Sequence, residues 1–276
     1  MISITGYLDS LIDPLNLYLR FLIYSALLFI MIFFAKKKRL LTLDGTITAL
    51  ALGYGFLYLG GLSAYLMLLF FFLSASLLSK AIGGHNKIEE KGSERDLYQV
   101  LANGGPAFLF LLLSALTHNS IIFLVGFASA LAEAEADTFA GDIGYLSHKD
   151  PVSIITFTKV PKGLSGGVTM LGFLGAFLGS ILIAMLFVGT YYLSLPAFFI
   201  IIISGFFGAL FDSVLGATIQ VHYRDESGKL TEHKYGKDGL INERVRGIPI
   251  INNDAVNALS GLFAATLGSA LIYFII

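Results

Sequence analysis

Cysteine and tryptophan are absent from this 276-residue chain, and only 13% of its residues are charged. Without cysteine there can be no disulfide scaffold and no thiolate metal site. A soluble domain carries about 25% charged residues; half that share excludes a soluble globular fold and a disordered chain alike. The 18 Lys and Arg nearly balance the 19 Asp and Glu, which argues against nucleic acid as a partner. What is present is hydrocarbon: 56% of the residues are hydrophobic, including 24 Phe, and 30 more are Gly. These residues gather in runs long enough to cross a bilayer. The chain therefore reads as an all-α, polytopic transmembrane helix bundle, one integral membrane domain over 1–276, packed in membrane lipid.

A spanning helix needs about 20 mostly apolar residues. Eight such segments are predicted, at 17–35, 43–60, 62–80, 98–117, 120–141, 166–189, 195–219 and 254–275. Asp9 and Asp13 precede the first run and no small-residue cleavage site follows it, so no cleavable signal peptide is expected. Every Lys and Arg except Arg20 falls after the first, third, fifth or seventh span, or, for Lys80, at the edge of the third. Eight crossings put all those loops on one face, and the positive-inside rule makes that face cytoplasmic, with both termini outside. The cytoplasmic loops are then 81–97, 142–165 and 221–251. The last alternates around Ser227-Gly228 like a small hairpin, a candidate lid.

Ionisable side chains inside membrane segments are costly and usually functional. The fifth span ends with Glu133, Glu135, Asp137, Thr138 and Asp142, the seventh carries Asp212, and the eighth opens with Asn252, Asn253, Asp254 and Asn257. Asp44 opens the second span and Asn103 lies a turn inside the fourth. All fall in the cytoplasmic half, as the parts of a single site would. Acids at the C-terminal ends of helices oppose the helix dipole, and a bound cation resolves that conflict. Oxygen ligands without cysteine favour a hard ion such as Mg²⁺. Just before the sixth span, Lys159-Val-Pro-Lys162-Gly163-Leu-Ser165-Gly166-Gly167 offers lysines, backbone amides and a helix start to a phosphate. Simpler readings stand beside these. The helix 5 acids could be a solvated helix end, Asp212 an interhelical hydrogen bond, the asparagines caps, and the glycine loop only a turn. Ser93 and Asp96 have capping-box-like spacing, the five histidines show no ligand spacing and read as loop residues, and Gly172, Gly175 and Gly179 read as a close-packing face.

Five blocks carry a resemblance: Asn103-Gly-Gly-Pro-Ala; Ala136-Asp137-Thr138-Phe-Ala-Gly-Asp142-Ile-Gly144; Pro151 to Thr156 running into Gly163-Leu-Ser-Gly-Gly-Val-Thr169; Asp212-Ser-Val-Leu-Gly-Ala-Thr-Ile-Gln220; and Asn252-Asn-Asp-Ala-Val-Asn257. Together they resemble a membrane family long catalogued as a domain of unknown function, which includes the transmembrane protein 19 group and the plant phytyl-phosphate kinase of tocopherol synthesis. The chain departs from that pattern at Gly141-Asp142, where Ser-Glu is common, and at Leu164, where Thr is common. The resemblance implies a kinase passing the γ-phosphoryl group of CTP to a polyprenyl (isoprenoid) monophosphate, with Mg²⁺. On that reading Asp137, Asp142 and Asp212 hold the metal. Lys159, Lys162, Gly163, Ser165, Gly166 and Gly167 bind nucleotide phosphates, with Asn103, Asn253 and Asn257 orienting phosphates or metal. Lys87 and Arg95 hold the acceptor phosphate. The alternatives are a transporter of a small anion or cation-coupled substrate, and a membrane nucleotidyltransferase; the Asp-rich signature of CDP-alcohol enzymes is missing. The oligomeric state, a homodimer included, is left open.

Overall fold

In the computed structural model the described residues are 4–82, 94–118, 120–191, 194–236 and 239–276. They form helices α1 (Ile4–Ile12), α2 (Leu17–Lys37), α3 (Leu43–Ile82), α4 (Leu97–Leu116) and α5 (Ile121–Tyr145), then strands β1 (Val152–Ser153) and β2 (Gly167–Val168). Helices α6 (Met170–Thr190) and α7 (Leu195–Thr218), strands β3 (His222–Arg224), β4 (Leu230–Thr231) and β5 (Glu243–Arg246), and helix α8 (Asn253–Tyr273) follow.

The 40 residues of α3 are two antiparallel arms. A straight helix of that length would hold its ends about 60 Å apart. Instead Lys80 Nζ, near the end of the second arm, donates to Lys38 O, just before the first, at 2.6 Å. The chain reverses at Gly61, whose backbone (φ 65°, ψ −161°) lies in a region closed to most side chains. A Cβ there would also sit 2.6 Å from Asp9 Oδ2. Asp9 belongs to α1, a short helix that the hydropathy pattern does not announce. Its Oδ1 accepts the Leu62 N–H at 2.9 Å, capping the second arm.

Helix α5 is the axis of the bundle. Every residue from Leu124 to Ala136 is buried, and the helix packs against α3, α4, α6, α7 and α8. Glycines on α6 let that helix come within carbonyl reach: a Cβ on Gly175 would stand 2.5 Å from Phe139 O, and one on Gly179 2.8 Å from Glu135 O. Shielded from lipid on all sides, α5 tolerates acids that a lipid-facing helix could not. By length and composition six helices can cross a membrane, namely α2, α3, α4, α6, α7 and α8. With α3 doubled and α5 at the centre, the bundle makes about eight crossings. Its main apolar core has Phe56, Phe127, Leu131, Phe187 and Ile201 fully buried and reaches along α5 to Ala132 and Ala134, beside the buried acids.

Local chemistry moves several expected boundaries. Helix α6 starts at Met170, not 166, because Gly167 and Val168 pair antiparallel with Ser153 and Val152. Thr169 then caps the helix, its Oγ1 accepting the Gly172 N–H at 2.9 Å. The capping box of α4 is formed by Asp96 with Gln99: Asp96 Oδ1 accepts from Gln99 N at 2.9 Å, and Gln99 Oε1 from Asp96 N at 3.1 Å. Ser93 lies outside the described residues. The 221–251 segment contains a three-stranded antiparallel sheet ordered β4-β3-β5, turning at Ser227-Gly228 as its alternation suggests.

Candidate functional site: a charged cavity at one end of the bundle

Elements far apart in sequence enclose a cavity of about 550 Å³ at the end of the bundle that carries the cationic loops. Of the residues singled out from sequence, Arg95, Asn103, Asp137, Asp142, Lys162, Gly163, Ser165, Gly166, Gly167, Asp212, Asn253 and Asn257 line it. Lys159 does not: its Nζ pairs with Asp150 Oδ2 at 3.0 Å and is largely exposed. Lys87 lies outside the described residues.

The floor is acidic. Asp212, on α7, is nearly buried, and its Oδ2 accepts from Ser260 Oγ of α8 at 3.0 Å. The same hydroxyl lies 2.8 Å from Glu133 Oε1 on α5. With its carboxamide turned so that both ends are satisfied, Asn257 Nδ2 donates to Asp212 Oδ2 at 3.2 Å and to Asn253 O at 2.9 Å. Asn103 faces Asn257 across α4 and α8 with 3.4 Å between the carboxamides. Glu133 also feels the charges of Asp212 and Asp137. Hence the solvated-helix-end reading fails for Glu133 and Glu135, which are 2% and 0% exposed.

The opposite wall is organised around Arg95, whose guanidinium stands 5.6 Å from the centre of the Phe71 ring. Its backbone is tied to the α2–α3 turn, N–H to Leu40 O at 2.9 Å and O to Thr42 N at 3.2 Å. Burial pulls its pKa down, and the nearby carboxylates Glu135 and Asp142 oppose that. Both acids are themselves held by α3: Ser74 Oγ donates to Glu135 Oε1 and Ser79 Oγ to Asp142 Oδ2, each at 2.6 Å. Asp142 thus belongs to the Arg95 side, whereas Asp137 and Asp212 flank Glu133. The expected three-aspartate metal set is therefore not assembled. Among the described residues no three His, Asp or Glu side chains form a ready ligand group.

The glycine loop also departs from expectation. Ser165 N–H donates to Glu232 Oε1 at 3.0 Å and Gly167 N–H to Leu164 O at 3.0 Å, so neither amide turns into the cavity. Gly166 (φ 84°) is glycine because a Cβ would stand 2.5 Å from Ala217 N at the end of α7. The loop is a tight turn clamped onto α7, and the Ser165 hydroxyl and Lys162 are the polar side chains it brings to the cavity. Gln220 Nε2 donates to that hydroxyl at 3.1 Å. Lys162 Nζ donates to Ser147 O at 2.5 Å and lies 5.8 Å from the Tyr145 ring centre.

A family model described as integral membrane protein DUF92 matches residues 26–265. The chain belongs to this family. An uncharacterized membrane protein of Methanocaldococcus jannaschii is 34% identical over 176 residues, 63% of this chain and 73% of the relative. Protein PGR of Arabidopsis thaliana is 31% identical over 285 residues, covering 90% and 95% of the two chains. An uncharacterized membrane protein of Synechocystis is 27% identical over 190 residues, covering 66% and 73%. No solved structure matches the chain.

Every cavity residue of this family member, from Arg39 to Asn257, falls inside the matched stretch. Two of the cavity's cations, Arg39 and Lys80, read from sequence only as orientation signals, since nothing in a hydropathy pattern says that the α2–α3 turn and the end of α3 meet over α5. Ser76, Ser79 and Gln99, which also line it, carry no sequence signal beyond being polar in apolar surroundings. His222, read as a loop residue, is fully buried: its Nδ1 accepts from Arg246 Nε at 2.7 Å, and its Nε2 faces Glu232 Oε1 at 3.7 Å. The 221–251 segment is thereby fastened to the glycine loop, and its anchoring runs against the reading of a free lid.

Proposed function

We propose that this chain is a CTP-dependent kinase of isoprenoid monophosphates, forming the diphosphate at the cytoplasmic face of the membrane. The observation that carries this reading is the combination in one cavity of four cations, Arg39, Lys80, Arg95 and Lys162, with the carboxylates Asp137 and Asp212. The cations suit polyanionic reactants and the carboxylates suit the divalent ion that accompanies a nucleoside triphosphate. The cavity volume lies within the range of about 300–1,000 Å³ usual for small-molecule sites. Orientation follows the segregated cations, which put this end in the cytoplasm and both termini outside.

In the transfer an oxygen of the acceptor phosphate bonds to the γ-phosphorus of CTP. The bond from that phosphorus to the β–γ bridging oxygen breaks, and CDP leaves with the electron pair. The acceptor is already ionised, so positioning and charge neutralisation suffice and no general base is needed. Arg95 and Lys80 neutralise the acceptor phosphate, and Lys162 the nucleotide. The donor set fits Mg²⁺: only oxygens are offered, and two carboxylates with neighbouring carboxamides leave the rest of the shell to phosphate oxygens and water, as that ion prefers. When bound, the ion would draw charge from the phosphate oxygens. Asp137 and Asp212 would hold it, with Asn253 and Asn257 orienting them.

The test is incubation of the purified protein with CTP and a prenyl monophosphate, reading the nucleotide product. CDP with prenyl diphosphate is expected, and Asp137→Asn should lower turnover more than about 100-fold while the protein elutes as the wild type does. Pyrophosphate release would make the chain a nucleotidyltransferase. No product from any of the four ribonucleotides would refute the kinase reading.

A further inference from the structure

A second, smaller hollow adjoins the charged cavity. Its walls come from α2, both arms of α3, and α4, and they are almost wholly apolar, with Met31, Leu52, Leu68 and Phe72 among them. Three polar side chains, Arg95, Gln99 and Asn103, line the hollow and the charged cavity alike. A guanidinium with open charged space on one side and hydrocarbon on the other fits an amphiphile: anionic head in the cavity, carbon chain behind it.

The geometry points to this hollow as the site that receives the first carbons of a single-chain monophosphate, with the rest of the chain passing between α2 and α4 into the bilayer. The inference rests on the proposed kinase reading only for the identity of the amphiphile. Its dimensions give it content. The hollow measures about 40 Å³, room for about three water-sized groups at 10–15 Å³ each, less than one isoprene unit. Beyond those carbons the chain must leave the protein, and α2 is the wall best suited to let it pass. Of its 21 residues only Tyr24, Leu28, Met31 and Ala35 are buried, and Phe29, Ile30, Phe33 and Phe34 are exposed toward lipid. The site should therefore discriminate substituents near the phosphate and tolerate any chain length beyond them.

The hollow can be filled from its wall. A Cβ on Gly104 would stand 2.9 Å from Leu52 Cδ1, so Gly104→Val pushes into the space that the first carbons occupy. Excluding about two methylene groups should raise the KM for prenyl monophosphates about tenfold, with the KM for CTP unchanged. Leu68→Ala, which enlarges the hollow, should relax discrimination against a branched first unit, and it covers the case in which Gly104→Val does not fold. A binding experiment needs no turnover: a farnesyl-length monophosphate carrying a diazirine on its third carbon is photolysed with the wild-type protein in nanodiscs, and the labelled peptides are mapped. Label on Met31, Leu52, Leu68 or Val100 supports the site. Label confined to α6, α7 or α8 overturns it, as does equal protection by two-chain phosphatidate and by unlabelled prenyl monophosphate, which would assign the hollow to a membrane lipid. Correct labelling without CDP formation would sink the kinase reading and leave the chain site standing. CDP formation with unaltered acceptor KM in Gly104→Val and unaltered selectivity in Leu68→Ala would do the reverse.

Discussion

Glu232 offers the sharpest test of how the cavity's glycine loop is held. It follows β4, is 6% exposed, and its Oε1 accepts the Ser165 N–H at 3.0 Å. Behind it stands His222, whose Nδ1 accepts from Arg246 Nε at 2.7 Å, so the ring hydrogen sits on Nε2, 3.7 Å from the same carboxylate oxygen. Arg246 in turn donates to Ala217 O and Gly216 O at 2.6 and 3.2 Å, closing a circuit back to the end of α7, against which the loop is packed. Burial lowers the Arg246 pKa and the Glu232 charge restrains that fall. Glu232→Ala removes an ionised acceptor from a backbone donor. Such hydrogen bonds contribute about 1.5–3 kcal/mol, and at about 1.4 kcal/mol per decade the Ser165 amide should exchange roughly 10- to 150-fold faster. Glu232→Gln keeps an oxygen but loses the charge, costing about 1 kcal/mol, roughly a fivefold acceleration. Hydrogen exchange in nanodiscs, read by mass spectrometry on peptides spanning 159–168, measures both, with peptides from the centre of α5 as the internal reference. If Glu232→Ala leaves 159–168 unchanged, or if the Gln variant exchanges as fast as the Ala variant, the brace does not exist.

The two lysines of the loop should behave oppositely. Lys159→Ala, which breaks only an exposed pair with Asp150, should leave turnover within about twofold. Lys162→Ala should raise the KM for CTP about 10- to 100-fold, since a lost charged contact to phosphate is worth roughly 1.5–3 kcal/mol. On the packing side, Gly175→Ala drives a methyl group to within 2.5 Å of Phe139 O. Overpacking of this kind costs about 1–3 kcal/mol, to be read as a lower midpoint in a thermal unfolding scan, whereas Gly189→Ala, which meets nothing within 4 Å, should leave the midpoint unmoved. In the β3–β4 turn, Asp225 Oδ1 accepts from the Ser227 hydroxyl at 2.7 Å and from the Ser227 and Lys229 amides at 2.9 Å each, which holds its pKa below the ordinary 3.8. A carboxylate depressed on folding stabilises the turn above its unfolded pKa and releases it as pH falls through the folded one. The turn should therefore stay closed at neutral pH and open only below about 3.8, which ¹³C-carboxyl titration can follow; opening near pH 6 would contradict the assignment.

Much of the architecture is legible along the chain because a bilayer simplifies the problem. Where water is excluded every backbone polar group must be satisfied within the span, so helix is forced and apolar length alone locates it. The eight predicted segments, including the reversal at Gly60-Gly61 inside α3, follow from that rule. So does the gathering of Asp137, Asp212, Asn103, Asn253 and Asn257, because costly intramembrane polar groups have few places to go.

Tertiary contact alone decided the rest. Whether Ser165 N–H points at a ligand or at Glu232, 67 residues further along, depends on a small sheet docking against the end of α7, and no local pattern encodes that docking. The division of the acids likewise follows from which serine of α3 or α8 lies opposite each one: Ser79 takes Asp142 toward Arg95, and Ser260 takes Asp212 toward Glu133. Hydropathy is a property of single segments read against lipid, and it sets the number and place of the helices. The direction of a hydrogen bond belongs to pairs of residues brought together from distant segments, and only the packed bundle assigns it.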